Sequence, residues 1–258
     1  MIGDLLHKAG QDEIYGARIY IVNGLIYAMD PRQPIQQLHE AIVPVELWLD
    51  WVEGRQDSYV SGQVIRDMAL RFFGSEAAGD YSSYEGKALA AKSIQDCEYV
   101  KECLILCDLR WPMMTSPNTE DHVGDPSLES KFFSAVTGRQ IDEEGLYRIG
   151  EKVFNLQRAI LAREGHEGRQ GDKLPEFVFS TPMNIQFINP EMLVPGPEGR
   201  PASRKGMVLD RQEFERMKGE YYELRGWDVP GGKQTRSLLE NLGLGQVADE
   251  LERRGLLA

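Results

Sequence analysis

Cysteine is scarce. Three thiols, Cys97, Cys103 and Cys107, occur in 258 residues, and an odd number this low argues against the disulfide framework of a small secreted domain. Reduced thiols fit an intracellular setting, so a cytoplasmic location is the expectation. Basic charge is also short: 29 Lys and Arg against 41 Asp and Glu leave a formal charge of -12. That balance argues against a sequence-independent grip on nucleic acid, although a local basic pocket for a small anion stays open. No run approaches the roughly 18 uninterrupted apolar residues of a membrane span. The opening "MIGDLLHKAGQDEIYG" places acidic residues where a signal peptide carries a basic and then an apolar region. A Gly-rich phosphate loop, an H-E-x-x-H motif and a G-x-S-x-G elbow are all absent.

What is present is mostly helical pattern. "ARIYIVNG" (17–24) reads either as a short strand or as the start of a buried helix running through "LIYAM", and periodicity does not separate the two. "DPRQP" (30–34) breaks whatever precedes it, because each proline restricts the residue before it. "PVELWLDWV" (44–52) and "GQVIRDMALRFFG" (62–74) read as helices, the second ending at Gly74. Ser82 and Glu85 have capping-box spacing before a long helix that brings Cys103 and Cys107 to its end or to the turn beyond. "TSPNTEDHVGDPSLES" (115–130) is a surface loop, and "LESKFFSAVTG" (128–138) a short helix. Residues 142–165 form the strongest helix, with Asp142 as cap, Leu146, Ile149, Val153, Leu156 and Ile160 on one stripe, and Gly165 as stop.

Residues 180–206 carry five prolines and exceed the usual connection length, so the segment is either mobile or laid over a surface. Asp210 and Glu213 cap a helix over 210–227, and two short helices close the chain around Gly243 and Gly245. The predicted fold is mainly α, a single mostly helical unit over 1–258. A possible subdivision separates 1–114 from 115–258, with the long loop at 180–206 in the second part.

The chemistry-bearing residues have plain readings on their own. Cys103 and Cys107, a C-x3-C pair in an apolar run, read first as packing, since free cysteine behaves as a small hydrophobe. Neither Cys97 nor His122 completes a compact zinc motif. A four-thiolate iron–sulfur site is impossible in one copy, which has three cysteines. His39, near Arg32 and Asp30, is a proton carrier, an anion contact or a surface histidine. Lys87, Arg148 and Lys152 read as solvated helix faces. Asp172 and Lys173 read as a locally bonded turn. "YYELRGWD" (221–228) reads as aromatic packing around a buried ion pair involving Arg225 and Asp228.

Taken together, "GLIYAMDPRQPIQQLH", "YEGKALAAKSIQDCEYVKECLILCDLRWP", "AVTGRQIDEEGLYRIGEKVFNLQRAILAREG", "DKLP" and "YYELRGWD" resemble the C-terminal part of the aldehyde ferredoxin oxidoreductase family. These are tungsten- or molybdenum-pterin enzymes, and Trp111-Pro112 looks closest to the branch that includes the tungsten subunit of benzoyl-CoA reductases. The resemblance runs from about Ile21 to Leu257. It implies the helical C-terminal domain of that family, a tungsten (or molybdenum) bis-pterin, a four-iron, four-sulfur cluster, and a ferredoxin or electron-transfer subunit as partner. The family's D-x-x-G-L-C pattern falls on Glu102, Ile105, Leu106 and Cys107. Cys107 is thereby the implied cluster ligand and Cys103 a packing residue. Glu102, Ile105, Leu106 and neighbouring Asp108 are the implied cofactor contacts, Arg32 an implied pterin contact, and His39 an implied proton or hydrogen-bond donor near the substrate.

Two departures stand out: Glu102 replaces the usual aspartate and Ile105 the usual glycine. The N-terminal β-rich and middle domains, with the C-x2-C-x3-C group that supplies three cluster ligands, are not in this sequence. The resemblance therefore implies a fragment, a split gene product needing the missing N-terminal domains as a separate subunit, or a relic. The implied substrate is an aldehyde or an aromatic acyl-CoA. The alternative is a cofactor-free helical structural or interaction module.

Overall fold

Residues 21–29, "IVNGLIYAM", offer water no polar face, and they resolve into a helix with every residue buried. The computed structural model describes residues 12–30, 35–107 and 114–258. The helices are α1 (Asp12–Tyr15), α2 (Ile21–Met29), α3 (Ile35–Val52), α4 (Gly62–Phe73), α5 (Lys87–Leu104) and α6 (Leu128–Thr137), followed by α7 (Glu143–Arg163), α8 (Phe177–Ser180), α9 (Arg211–Arg225), α10 (Arg236–Asn241) and α11 (Gly245–Arg253). Two short strands, β1 (Leu193–Pro195) and β2 (Pro201–Ser203), pair antiparallel with Val194 opposite Ala202. The architecture is mainly α. Among the described residues, no helix is long and apolar enough to cross a membrane.

Helix α5 is the axis. α2, α3, α4, α7 and α9 all pack against it. Burial on every side hides the two-faced pattern that marks a surface helix. Its buried residues include Lys87, Gln95, Asp96, Glu98 and Lys101, and each charge needs a partner inside. Asp96 pairs with Arg225 of α9, whose guanidinium lies 4.3 Å above the Phe154 ring of α7. Lys92 donates to Asp96 at 2.7 Å and reaches Glu151 of α7 at 3.2 Å. The "YYELRGWD" segment thus packs around a buried ion pair, but the acid is Asp96. Asp228 instead accepts from the Gly231 backbone N–H at 2.6 Å.

Asp172 departs from its local reading. It is fully buried and takes a bidentate grip from Arg158 at 2.7 and 2.6 Å, with the Tyr222 hydroxyl donating at 2.6 Å. Arg158 stacks 4.6 Å above the Trp227 ring. This network ties the "DKLP" turn to α7 and α9.

Capping follows the sequence at α4, α7 and α9. Ser61, Asp142 and Asp210 each accept from a first-turn N–H, and Gly74 and Gly138 end their helices left-handed. It fails at α5, which starts at Lys87 after Gly86 rather than at Ser82. Ser82 is occupied elsewhere, donating its hydroxyl to Asp80 at 2.6 Å. Lys87 is buried, not solvated. Its ammonium donates to the Ala78 carbonyl at 2.9 Å and the Glu85 carbonyl at 3.2 Å.

The long segment after α8 is laid over the core. Met183, Gln186, Asn189 and Met192 point in, while Ile185, Phe187 and Ile188 point out. Gln186 donates to the Ile14 carbonyl at 3.2 Å, and the Asn189 amide clamps Leu193 N–H and C=O at 2.9 and 2.7 Å. The main apolar core draws on both sides of position 114, from Ile21 and Trp48 to Phe154 and Tyr221. A second cluster joins α10 and α11 to Ala159 of α7.

Two expectations follow. A Cβ at Gly150 would stand 2.0 Å from the Asp96 carbonyl oxygen. Gly150→Ala should therefore lower unfolding stability by about 1–3 kcal/mol, because overpacking outweighs alanine's helix advantage of about 1 kcal/mol; chemical denaturation reads this. Burial pushes Lys87 down to about 7, while unfolded lysine titrates near about 10.4. Between those values the unfolded chain binds the extra proton, so stability rises with pH. Lys87→Met should remove a slope of up to about 1.4 kcal/mol per pH unit in that window, measured as the difference between wild-type and variant denaturation curves.

Candidate functional site

The last turn of α5 and the first of α3 carry the described candidate residues. α5 closes with two paired carbonyls: Ile105 N–H donates to Glu102 O at 3.2 Å and Leu106 N–H to Lys101 O at 3.0 Å. This closure requires a left-handed residue, usually glycine. Here it is Ile105, at φ 56° and ψ 39°, a β-branched side chain in a conformation that costs it roughly 1–2 kcal/mol. The turn throws Ile105 outward, 91% exposed. Glu102 and Leu106 are half-buried beside it, and Cys107 beyond it is exposed with a free thiol. Cys103 is exposed as well. The packing reading of this pair therefore fails, because both thiols lie at a helix end rather than in the core. Arg32 and Asp108, with Trp111 and Pro112, lie outside the described residues.

His39 lies near the start of α3, half-buried. Its Nε2 is 3.0 Å from the Tyr15 hydroxyl, with ring centroids 5.7 Å apart. Glu46 stands near enough for His39 to oppose the upward push that burial gives that carboxyl. The Asn23 amide donates to the Tyr15 carbonyl at 2.8 Å and so fixes the tyrosine to α2.

One ion pair joins the two segments. Lys101, whose carbonyl holds the Leu106 N–H, extends its ammonium to Glu40, the residue after His39, and to Glu98. All three are buried. Glu40 and the neighbouring carboxylate and thiol hold the Lys101 ammonium well above its ordinary range against the cost of burial. Burial and the Glu40 carboxylate push Glu98 well up from the usual carboxylate range. With partly buried Cys97, these acids form a compact group: ligand atoms of Glu40, Cys97 and Glu98 lie within 4.8 Å of one another. Sequence reading missed this group. Glu40 lies 58 positions before Glu98, and no spacing rule connects them.

Outward-facing apolar side chains flank both segments. Ile105 adjoins Cys107, while Phe187 (85% exposed) and Ile185 (81%) ride on the loop whose Gln186 is anchored to Ile14, next to Tyr15.

This arrangement sits within a recognised sequence class. The model of "aldehyde ferredoxin oxidoreductase, domains 2 & 3" matches residues 11–244. The chain belongs to the aldehyde ferredoxin oxidoreductase family. It is 29% identical over 115 residues to the tungsten-containing aldehyde ferredoxin oxidoreductase of Pyrococcus furiosus, and 28% over 115 residues to that of Thermococcus kodakarensis. Each match covers 45% of this chain and 16% of the relative, so only a small part of the relatives' length is spanned. Among solved structures it is similar to the active site complex BamBC of benzoyl coenzyme A reductase with 1,5-dienoyl-CoA. There the TM-score is 0.46 at 21% identity, covering 69% of this chain and 22% of that one.

The turn makes its own prediction. Ile105→Gly should raise unfolding stability by about 1 kcal/mol, since glycine takes the left-handed position without a Cβ clash. Calorimetry that finds the variant less stable would show that Ile105 gives more through contacts than its backbone costs.

Proposed function

We propose that this chain is the C-terminal part of a tungsten- or molybdenum-pterin oxidoreductase, to which it contributes Cys107 as one thiolate ligand of a four-iron, four-sulfur cluster. The observation that carries the reading is the free, exposed Cys107 thiol just past a closed helix end, in a chain of this family. The donor set fits one ligand of four, and the other three would come from outside these 258 residues, from further domains or a separate subunit. Exposed Ile105, Ile185 and Phe187 are the kind of apolar surface that such a neighbour covers.

When bound, the pterin-held metal and the cluster supply two-electron redox chemistry and pass electrons to or from a ferredoxin-type partner. The substrate class is an aldehyde or an aromatic acyl-CoA. The chain's own groups position and protonate. His39, oriented by Tyr15, holds or releases a proton next to the substrate. Glu102, Ile105 and Leu106 would hold the cofactor, and the family resemblance gives Arg32 and Asp108 the same role.

A second reading, a cofactor-free helical module or non-catalytic remnant, draws on Ile105. A side chain 91% exposed stands where a glycine would leave room for close backbone approach. Metal analysis of anaerobically purified native complex separates the two. The oxidoreductase predicts tungsten or molybdenum with iron near about four per complex, falling by more than half in Cys107→Ser. Unchanged iron in that variant would remove Cys107 from the ligand set. No metal and no companion chain would leave the helical module.

A further inference from the structure

The Glu40–Cys97–Glu98 group stands apart from Cys107, which the proposed cluster uses. Its composition, one thiol and two carboxyls, is a donor set for a borderline divalent cation such as Zn²⁺ or Cd²⁺. Two further observations point the same way. Glu98 is fully buried, and the contact its carboxyl makes is with the Lys101 ammonium. A cavity of about 20 Å³, lined in part by Glu40, Cys97, Glu129 and Tyr147, adjoins the group and is large enough for about one water as a further ligand. The Lys101 ammonium nevertheless stands against both carboxyls.

We infer that Glu40, Cys97 and Glu98 form a cation site that the protein fills with its own Lys101 ammonium, and that removing this side chain opens the site to a thiophilic divalent ion. Lys101 brings its positive charge against both Glu40 and Glu98 and so takes the place a cation would have. A divalent ion entering the intact site has to displace a buried lysine that has nowhere solvated to go, since Lys101 is 1% exposed. The site is therefore closed in the wild-type chain, and metal loading of the intact protein bypasses Cys97. The lysine has a second consequence. Its backbone carbonyl clamps the turn before Cys107, and its ammonium holds the residue after His39.

The test uses the 258-residue chain carrying Cys103→Ser and Cys107→Ser, so that Cys97 is the remaining thiol, titrated with Cd²⁺ and followed by thiolate-to-cadmium charge-transfer absorption. With Lys101 present, no stoichiometric signal is expected. With Lys101→Ala, one ion per chain should bind at least about a hundredfold more tightly, the affinity equivalent of the buried ion pair it no longer competes with. Adding Cys97→Ser should abolish the signal. If Lys101→Ala needs the ion to fold, the same titration is read as cadmium-dependent recovery of helical circular dichroism. Stoichiometric cadmium binding through Cys97 with Lys101 in place would overturn the inference. So would a folded Lys101→Ala chain that binds none, or one that stays unfolded at saturating cadmium.

Discussion

A central helix that buries charge on several faces sets the terms for the rest of the molecule. α5 is surrounded by five helices, and its Asp96 and Lys101 are almost entirely shielded from water. Ionised groups there are tolerated only with partners in place, because a buried charge left alone costs several kcal/mol. The neighbours are therefore fixed by charge as well as by shape. α9 arrives with Arg225, α3 with Glu40, and the loop before α5 offers carbonyls to Lys87. Such pairs add little net stability over an apolar core. They do exclude alternative registers, since sliding α9 along α5 would strand Arg225 and Asp96 together.

The candidate site inherits its geometry from this arrangement. Its two halves, the turn after α5 and the first turn of α3, meet through Lys101, which serves one half with its carbonyl and the other with its ammonium. The left-handed residue in that turn explains a feature of the sequence. Ile105 holds a backbone dihedral that favours glycine, the residue that the family resemblance implies there, and it does so at an energetic cost. The same position presents an exposed branched side chain two residues before Cys107.

Much of the helical framework was legible in the residues. Asp142, Asp210 and Gly74 mark helix ends by local chemistry, and local chemistry is what a sequence displays. α2 resisted because a helix buried all round has no periodic face. The start of α5 was misplaced because Ser82 found a nearer acceptor in Asp80. Asp172, Lys87 and the Glu40–Cys97–Glu98 group went unread for a common reason. Their partners are brought in by tertiary packing, at separations no motif encodes. Cys107 and His39 were named by family pattern, and the exposure of the one and the tyrosine partner of the other are properties of the folded chain.

Gly150 has a mechanical meaning. It lets the backbone of α7 rest on the carbonyl of Asp96, making that crossing a fulcrum for α5. From Asp96 to Leu104 the lever arm is roughly 12 Å at 1.5 Å per residue, so a one-degree tilt about the crossing displaces the thiol end by only about 0.2 Å. Asp96 sits near the middle of α5, so a tilt about this crossing moves the Lys87 end and the turn that carries Cys107 by nearly equal amounts.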